Sequence, residues 1–294
     1  MTRLFNLDCG LVLLEGDDTR RFLNSMLTNN FKDLAVGDGN HNAITDRKGK
    51  VEGLLDGYML SPSKALLVLN GMDIEWTLER LDMYIIMDPI ELTELSLTHG
   101  VLSLQGPEAR TLAEAAGLPV PEVAVARIEG GWVLFNDRVD DVGLDIILPS
   151  EQLEVLRTKL LELGAKTGSN EDLEGLRIQR GLPRWPADMG KRAFVHELGL
   201  RDRVCSFRKG CYVGQEVINR MDTMGKLNRR LLRVRMDSSA TPGPIEVDGK
   251  PAGEITSVGR VDGQFWGLGL LRAPAWEPGT RVARGGVDGT IDPS

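Results

Sequence analysis

Apolar positions along this chain follow two rhythms, one helical and one extended, and their order sets the expected architecture. After Gly16, Phe22, Leu23, Met26 and Leu27 fall on one helical face, with Asp17 or Asp18 placed to cap the first turn and Asn29-Asn30 to end it. Tyr58 to Leu60 and Ala65 to Leu69 then flank Ser61-Pro62-Ser63-Lys64, the pattern of a β-hairpin. A second helix is predicted from Asp73 to Ile86 on the spacing of Ile74, Leu78, Leu81 and Ile85, with Pro89 barring further continuation. A third begins with Pro107 in its first turn and stops at Gly117. Strands at Gly131 to Asn136 and Leu144 to Leu148 precede a helix from Glu151 to Leu163, with Leu153, Leu156, Leu160 and Leu163 on its face. Asn170 is placed to cap a further helix carrying Leu173, Leu176 and Arg177, which Pro183 closes.

Beyond about residue 226 the rhythm shortens to strands punctuated by glycine, including an Asp248-Gly249 turn and a strand from Phe265 to Leu271. The expectation is an α+β chain with antiparallel sheets. Its region 1–225 reads as two α+β lobes, divided near residue 95, and 226–294 reads as a small C-terminal β-barrel. A chain of 294 residues exceeds the size at which one core keeps growing, which fits such a division.

Composition narrows the function classes. The longest apolar runs are far too short to span a bilayer, and no secretory leader is legible at the start, so the expectation is a cytoplasmic protein with no membrane partner. Cys9, Cys205 and Cys211 form no CxxC pair, and with His196 they match no usual zinc spacing, so neither a disulfide framework nor a metal site is expected. The net charge of -8 argues against binding of a DNA duplex. Residues 201–235 run the other way, with ten arginines and lysines against three acids. Such a strip suits an anionic small ligand or a limited phosphate contact; it equally suits a solvated edge whose arginines pair with neighbouring acids.

The densest chemical signal is Lys209-Gly210-Cys211-Tyr212-Val213-Gly214-Gln215-Glu216. It sets one thiol beside Arg208 and Lys209, whose charges favour the thiolate, between two glycines that let backbone or ligand approach, just before an expected helix. These neighbours suit a nucleophile, a transient cluster ligand and a redox sensor equally.

This octapeptide closely resembles the signature of the YgfZ-type folate-binding proteins, relatives of the glycine-cleavage T-protein, an aminomethyltransferase (GcvT). Further segments extend the likeness in order: Leu27-Thr28-Asn29-Asn30, Leu102 to Pro107, Gly143-Leu144-Asp145, Leu176-Arg177-Ile178 with Gly181-Leu182-Pro183 and Asp188, and Gly253 to Ser257. The T-protein typically carries an acid where Cys211 stands, so the thiol points to the YgfZ branch. The resemblance implies three lobes arranged as a cloverleaf around a central channel, where tetrahydrofolate binds.

It also assigns roles. Asp145, in place of the family's glutamate, is the candidate to accept hydrogen bonds from the pterin ring, alongside Asn29. Arg177 and the basic strip are candidates for the carboxylates of the glutamate tail, with an internally paired helix arginine as the alternative for Arg177. Cys211 is the functional thiol, with Lys209 lowering its pKa and Gln215, Glu216 and Arg220 fixing the loop. At Gly53 and Leu54, where the T-protein has an Asp pair, this chain has no acid. Glu52 and Asp56 are near and read as solvated strand positions. The implied function is a tetrahydrofolate-binding accessory protein supporting iron-sulfur enzyme maturation or repair and tRNA modification, with iron-sulfur clients as partners. Folate-dependent one-carbon transfer and a ligand-free interaction scaffold are the alternatives.

Overall fold

The computed structural model describes all residues except Asp88, Asp140, Asp141, Gly190, Lys191, Arg192, Pro274, Pro293 and Ser294. The chain forms two compact units. Unit 1 comprises Met1–Ile44, Gly53–Gly168 and Val204–Val213, and unit 2 comprises Thr45–Glu52, Ser169–Arg203 and Gly214–Ser294. The elements in chain order are β1 (Arg3–Leu7), β2 (Leu11–Glu15), α1 (Thr19–Met26), β3 (Gly39–Thr45), β4 (Val51–Ser61), β5 (Lys64–Leu69), α2 (Ile74–Asp82), β6 (Glu91–Glu94), β7 (His99–Gln105), α3 (Ala109–Ala115), β8 (Val125–Ile128), β9 (Gly131–Phe135), β10 (Gly143–Pro149), α4 (Ser150–Glu162), β11 (Lys166–Thr167), α5 (Asn170–Gln179), α6 (Arg201–Val204), α7 (Gln215–Met224) and β12 (Arg229–Met236). The last five strands are β13 (Gly243–Val247), β14 (Lys250–Val261), β15 (Gln264–Arg272), β16 (Arg281–Arg284) and β17 (Val287–Ile291). Among the described residues no helix is long and apolar enough to cross a membrane.

The α+β expectation holds. Unit 1 carries a five-stranded sheet ordered β3-β4-β5-β2-β6 and a six-stranded sheet ordered β11-β1-β7-β10-β9-β8. Pairing in the six-stranded sheet is antiparallel apart from the short β1 and β11 contact. The five-stranded sheet takes β2 to β6, and the six-stranded sheet takes β7 to β11 together with β1. The first strand pairs with β7, Leu4 opposite Leu104, so the chain starts in one sheet, crosses to the other at β2 and returns. No local composition shift marks such an interleaved path.

Alternation along the strands sorts the six-stranded sheet into two faces. Leu102, Leu104, Leu144, Ile146 and Leu148 pack against Ala109 and Ala113 of α3 and Leu153, Leu156 and Leu160 of α4. Val101, Leu134 and Ile147 take the opposite face and share a core with Leu11, Tyr58, Leu66 and Val68 of the five-stranded sheet. Asp145 lies opposite Ser103 in register and has the same strand parity as Ile147, so a carboxylate enters the layer between the two sheets.

In unit 2, β12-β15-β14-β13-β16-β17 form a closed barrel. Asp248 and Gly249 both adopt positive φ, 50° and 71°, at the turn that joins β13 to β14, as the Asp-Gly signal requires. Helix α5 lies on β14: a Cβ placed on Gly259 would come within 2.8 Å of the Gly175 Cα, so two glycines permit the approach.

Three local expectations change. Ser169, not Asn170, is the α5 N-cap, in a capping box with Asp172. Asp18 occupies the N-cap position of α1, but its carboxylate accepts from Arg21 instead of from the helix. Helix α2 ends at Asp82, since Ile86 and Met87 are exposed and offer no apolar face to extend it.

Candidate functional site

The polar groups of unit 1 converge between its two sheets. The Asp56 side chain is buried, and its Oδ1 lies 2.5 Å from His41 Nδ1. Its Oδ2 accepts from Asn70 Nδ2 at 3.1 Å and from Asn136 Nδ2 at 3.0 Å. Asn136 also donates to Asp145 Oδ2 at 3.0 Å, so one amide links a carboxylate of each sheet. Arg138 completes the bridge: its Nε donates to Asp145 Oδ2 at 2.8 Å and its Nη1 to Asn70 Oδ1 at 2.7 Å. Gln105 supports the loop behind Asn136, its Nε2 donating to the Asn136 carbonyl at 3.0 Å and to Ser103 Oγ at 2.9 Å.

Electrostatics follow from this packing. Burial raises the pKa of Asp56, but the His41 and Arg138 charges and the hydrogen bonds from His41 and Asn70 outweigh it and hold the carboxyl well below its ordinary value. Burial pushes Tyr58 well up, and the Asp56 and Asp145 charges add to the rise. It likewise drives the Cys9 thiol up to about 12, with Arg138 opposing and Asp145 and Asp56 adding, so Cys9 stays neutral. Asp145 is fully buried, and its Oδ1 accepts no hydrogen bond among the described residues. A buried anionic acceptor without a donor costs about 1–3 kcal/mol or more, the kind of deficit that a ligand's N–H groups would remove.

His41 is partly exposed, with Nδ1 held by Asp56 and Nε2 3.6 Å from Asp137 Oδ1. An imidazole oriented by a buried carboxylate can take up and return a proton at its other nitrogen. The reading of Asp56 as a solvated strand position is therefore corrected: strand alternation puts it on the face of Tyr58, opposite Val68, inside the layer. His41, Asn70, Asn136 and Arg138 were not singled out from sequence. The one available signal was an acid in the run Leu54-Leu55-Asp56, where a carboxylate interrupts an apolar strand.

The octapeptide lies across the boundary of the two units. In unit 1, Lys209 Nζ donates to the carbonyls of Leu27 at 2.5 Å and Asn29 at 2.7 Å. Thr28 Oγ1 donates to the Val204 carbonyl at 2.5 Å, and the Ser206 amide to the Thr28 carbonyl at 3.0 Å. Two of the segments that carry the family resemblance, about 180 residues apart, are thus fastened together. Burial lowers the Lys209 ammonium to about 7, with Cys205 opposing. Lys209 therefore anchors the Leu27 to Asn29 turn, in place of the expected role directed at Cys211. Cys211 is exposed and Cys205 buried.

In unit 2, Gly214 stands at the N-cap of α7 with φ 84°, and a Cβ there would meet the Asp46 carbonyl at 2.4 Å. Gln215 opens that helix, while Glu216 and Arg220 form an exposed pair at 3.6 Å. Arg177 is buried: Nη1 donates to Asp188 Oδ2 at 2.7 Å and to the Leu182 carbonyl at 2.9 Å, Nη2 to Ser257 Oγ at 2.8 Å, and Nε to Glu174 at 2.8 Å. The internally paired alternative is the one the structure shows, so Arg177 is not available to a ligand tail. Much of the basic strip is likewise paired, Arg201 with Asp222, Arg229 with Glu197 and Arg233 with Asp292.

Comparison with known proteins places these groups in a family. Residues 8–209 match the GCVT N-terminal domain, and the chain belongs to that family. It is 27% identical over 289 residues to At1g60990 of Arabidopsis thaliana, whose name marks it as a presumed chloroplastic transferase, covering 94% of this chain and 66% of that protein. The aminomethyltransferase of Staphylococcus saprophyticus is 23% identical over 292 residues, covering 93% and 79%. The crystal structure of the glycine cleavage system aminomethyltransferase T from Bartonella henselae superposes over the whole chain, covering 85% of that protein, with a TM-score of 0.89 at 19% identity, a likeness of fold. The chain thus spans from 66% to 85% of these proteins' lengths.

Proposed function

We propose that unit 1 binds a tetrahydrofolate-type reduced pteridine and that the protein acts as a folate-dependent accessory factor of the YgfZ kind. The observation that carries this reading is the undonated Oδ1 of Asp145, fully buried within a cluster that fixes its other oxygen. The pterin's exocyclic amino group and ring N–H are donors that a carboxylate oxygen can accept. The residues present fit such a ligand: Asp145 would receive the pterin, and the Lys209-anchored turn would present Asn29. When bound, the folate would supply a carrier nitrogen for one-carbon units. This chain's own residues orient it, exclude water through the apolar layer around Leu134 and Ile147, and hold a proton at His41.

The exposed Cys211 and the absence of acids at Gly53 and Leu54 favour the accessory role over aminomethyl transfer. In this role the protein supports iron-sulfur enzymes, including those that modify tRNA, and Cys211 meets the client. Calorimetry with tetrahydrofolate should show binding of one molecule per chain, retained in Cys211→Ala, while that variant fails to restore iron-sulfur enzyme activity in cells lacking the protein. Loss of folate binding in Cys211→Ala, or full restoration by it, would contradict the assignment.

A second reading, folate-dependent one-carbon transfer, is favoured by the His41 and Asp56 pair, a proton-handling group beside the proposed ligand site. It requires methylenetetrahydrofolate to form from an aminomethyl donor, with the rate falling about 100-fold or more in His41→Gln.

A further inference from the structure

Unit 2 assembles like charges around a cavity of about 610 Å3. Lys50, Lys226, Arg229 and Arg272 line it, and Glu197 is the one carboxylate lining it among the described residues. Glu197 is buried and already committed: Arg229 Nε and Nη2 donate to its two oxygens at 3.1 and 2.8 Å, and the Phe194 amide donates to it at 3.1 Å. Among the described residues the cavity walls thus carry four basic side chains against one carboxylate.

Two features make this more than a solvated basic edge. Arg229 and Arg272 stand directly opposite each other in the β12 and β15 register, a cross-strand pairing of like charges that weakens a sheet. Lys50 is carried to the same place from the turn between β3 and β4, where its amide and that of Lys48 are held by Asp46 Oδ1, both at 2.8 Å. Its ammonium lies 3.2 Å from the centroid of the Phe194 ring. Burial lowers the Lys50 pKa, and the neighbouring Arg229 charge lowers it further, against the pull of Glu197 and Asp46. Three separate chain segments thus bring cations of one sign around one cavity. Locally unfavourable arrangements of this kind mark functional positions.

We propose that this cavity is a binding site for a compact polyanion, a small molecule carrying about three negative charges on phosphoryl or carboxylate groups. The volume falls in the range of small-molecule sites. Guanidinium groups supply the forked donors that match either anion, and the ammoniums supply point charges. The Phe194 ring offers an apolar wall to the ligand's carbon skeleton. The site belongs wholly to unit 2 and does not depend on the folate reading.

The test is calorimetric titration of the full chain with sodium tripolyphosphate and, separately, with citrate. One site per chain is expected, weakening as salt is added. Arg272 and Lys226 are both exposed, so Arg272→Ala with Lys226→Ala should keep the circular dichroism spectrum and lose about 100-fold in affinity, roughly tenfold per charge. Lys50→Gln tests the third cation from a different segment and should lose about tenfold. Tighter binding of tripolyphosphate assigns the site to phosphoryl ligands, and tighter binding of citrate to polycarboxylates. Affinity unchanged in the double variant overturns the proposal. So does a single-stranded RNA oligonucleotide that binds far more tightly than both and loses that binding in the same variant, since the surface would then be a nucleic-acid contact.

Discussion

Each unit sets an arginine among carboxylates, and the two clusters differ in how the second oxygen of its partner aspartate is used. In unit 2, both Asp188 oxygens are engaged, Oδ2 by Arg177 and the Arg184 amide, Oδ1 by the hydroxyls of Thr256 and Ser257. In unit 1, Asp145 has one oxygen held by Arg138 and Asn136 and the other without a donor among the described residues. The first arrangement is closed and ties α5 to the barrel. The second keeps an acceptor in reserve. The family resemblance offered both Arg177 and Asp145 as ligand contacts. The hydrogen bonds close Arg177 and leave an acceptor of Asp145 open among the described residues.

The sharpest way to break this comparison is to open the closed cluster. Arg177→Ala leaves the buried Asp188 without its arginine, and loss of one partner of a buried pair costs about 3–5 kcal/mol. Urea unfolding should show that loss, while the folate affinity of the protein that remains folded stays unchanged. A fall in affinity as large as that from an Asp145 variant would return Arg177 to the ligand.

The unit 1 cluster should answer to acid. Asp56 has a folded pKa below its ordinary value of 3.8, so the unfolded chain binds the proton more readily. The stability from ionised Asp56 is present in full above that ordinary value and is lost as pH falls through the lower folded value. Asp56→Asn should cost about 1.5–3 kcal/mol near neutrality, and its difference from the wild type should shrink in acid. A gap that widened on acidification would contradict the assigned charge state. The smallest effect is expected from Arg220→Ala: an exposed i, i+4 pair contributes about 0.3–0.5 kcal/mol, so the unfolding midpoint should barely move.

The same contrast explains what the sequence made legible. The barrel's glycine-punctuated strands and the α4 face of Leu153, Leu156 and Leu160 are local patterns that appear where expected, while Leu163, expected on that face, caps the helix exposed. Asp145 was reachable because it sits in a conserved-style strand motif of the resembling family. His41, Asp56, Asn136 and Arg138 were not, because they come from three separate segments and meet only once the two sheets face each other. Strand β4 is buried almost throughout, so the alternation that would have exposed Asp56 as inward-facing is missing from the sequence. The path of β1 into the second sheet is hidden for a related reason: its pairing with β7 spans nearly a hundred residues.

The most direct measurement is tetrahydrofolate affinity of the wild type against Asp145→Asn, read by calorimetry at neutral pH. The account predicts saturable binding by the wild type and a loss of roughly ten- to a hundredfold in the variant, the worth of a charge-assisted hydrogen bond. Equal affinities, or no binding by the wild type, would contradict it.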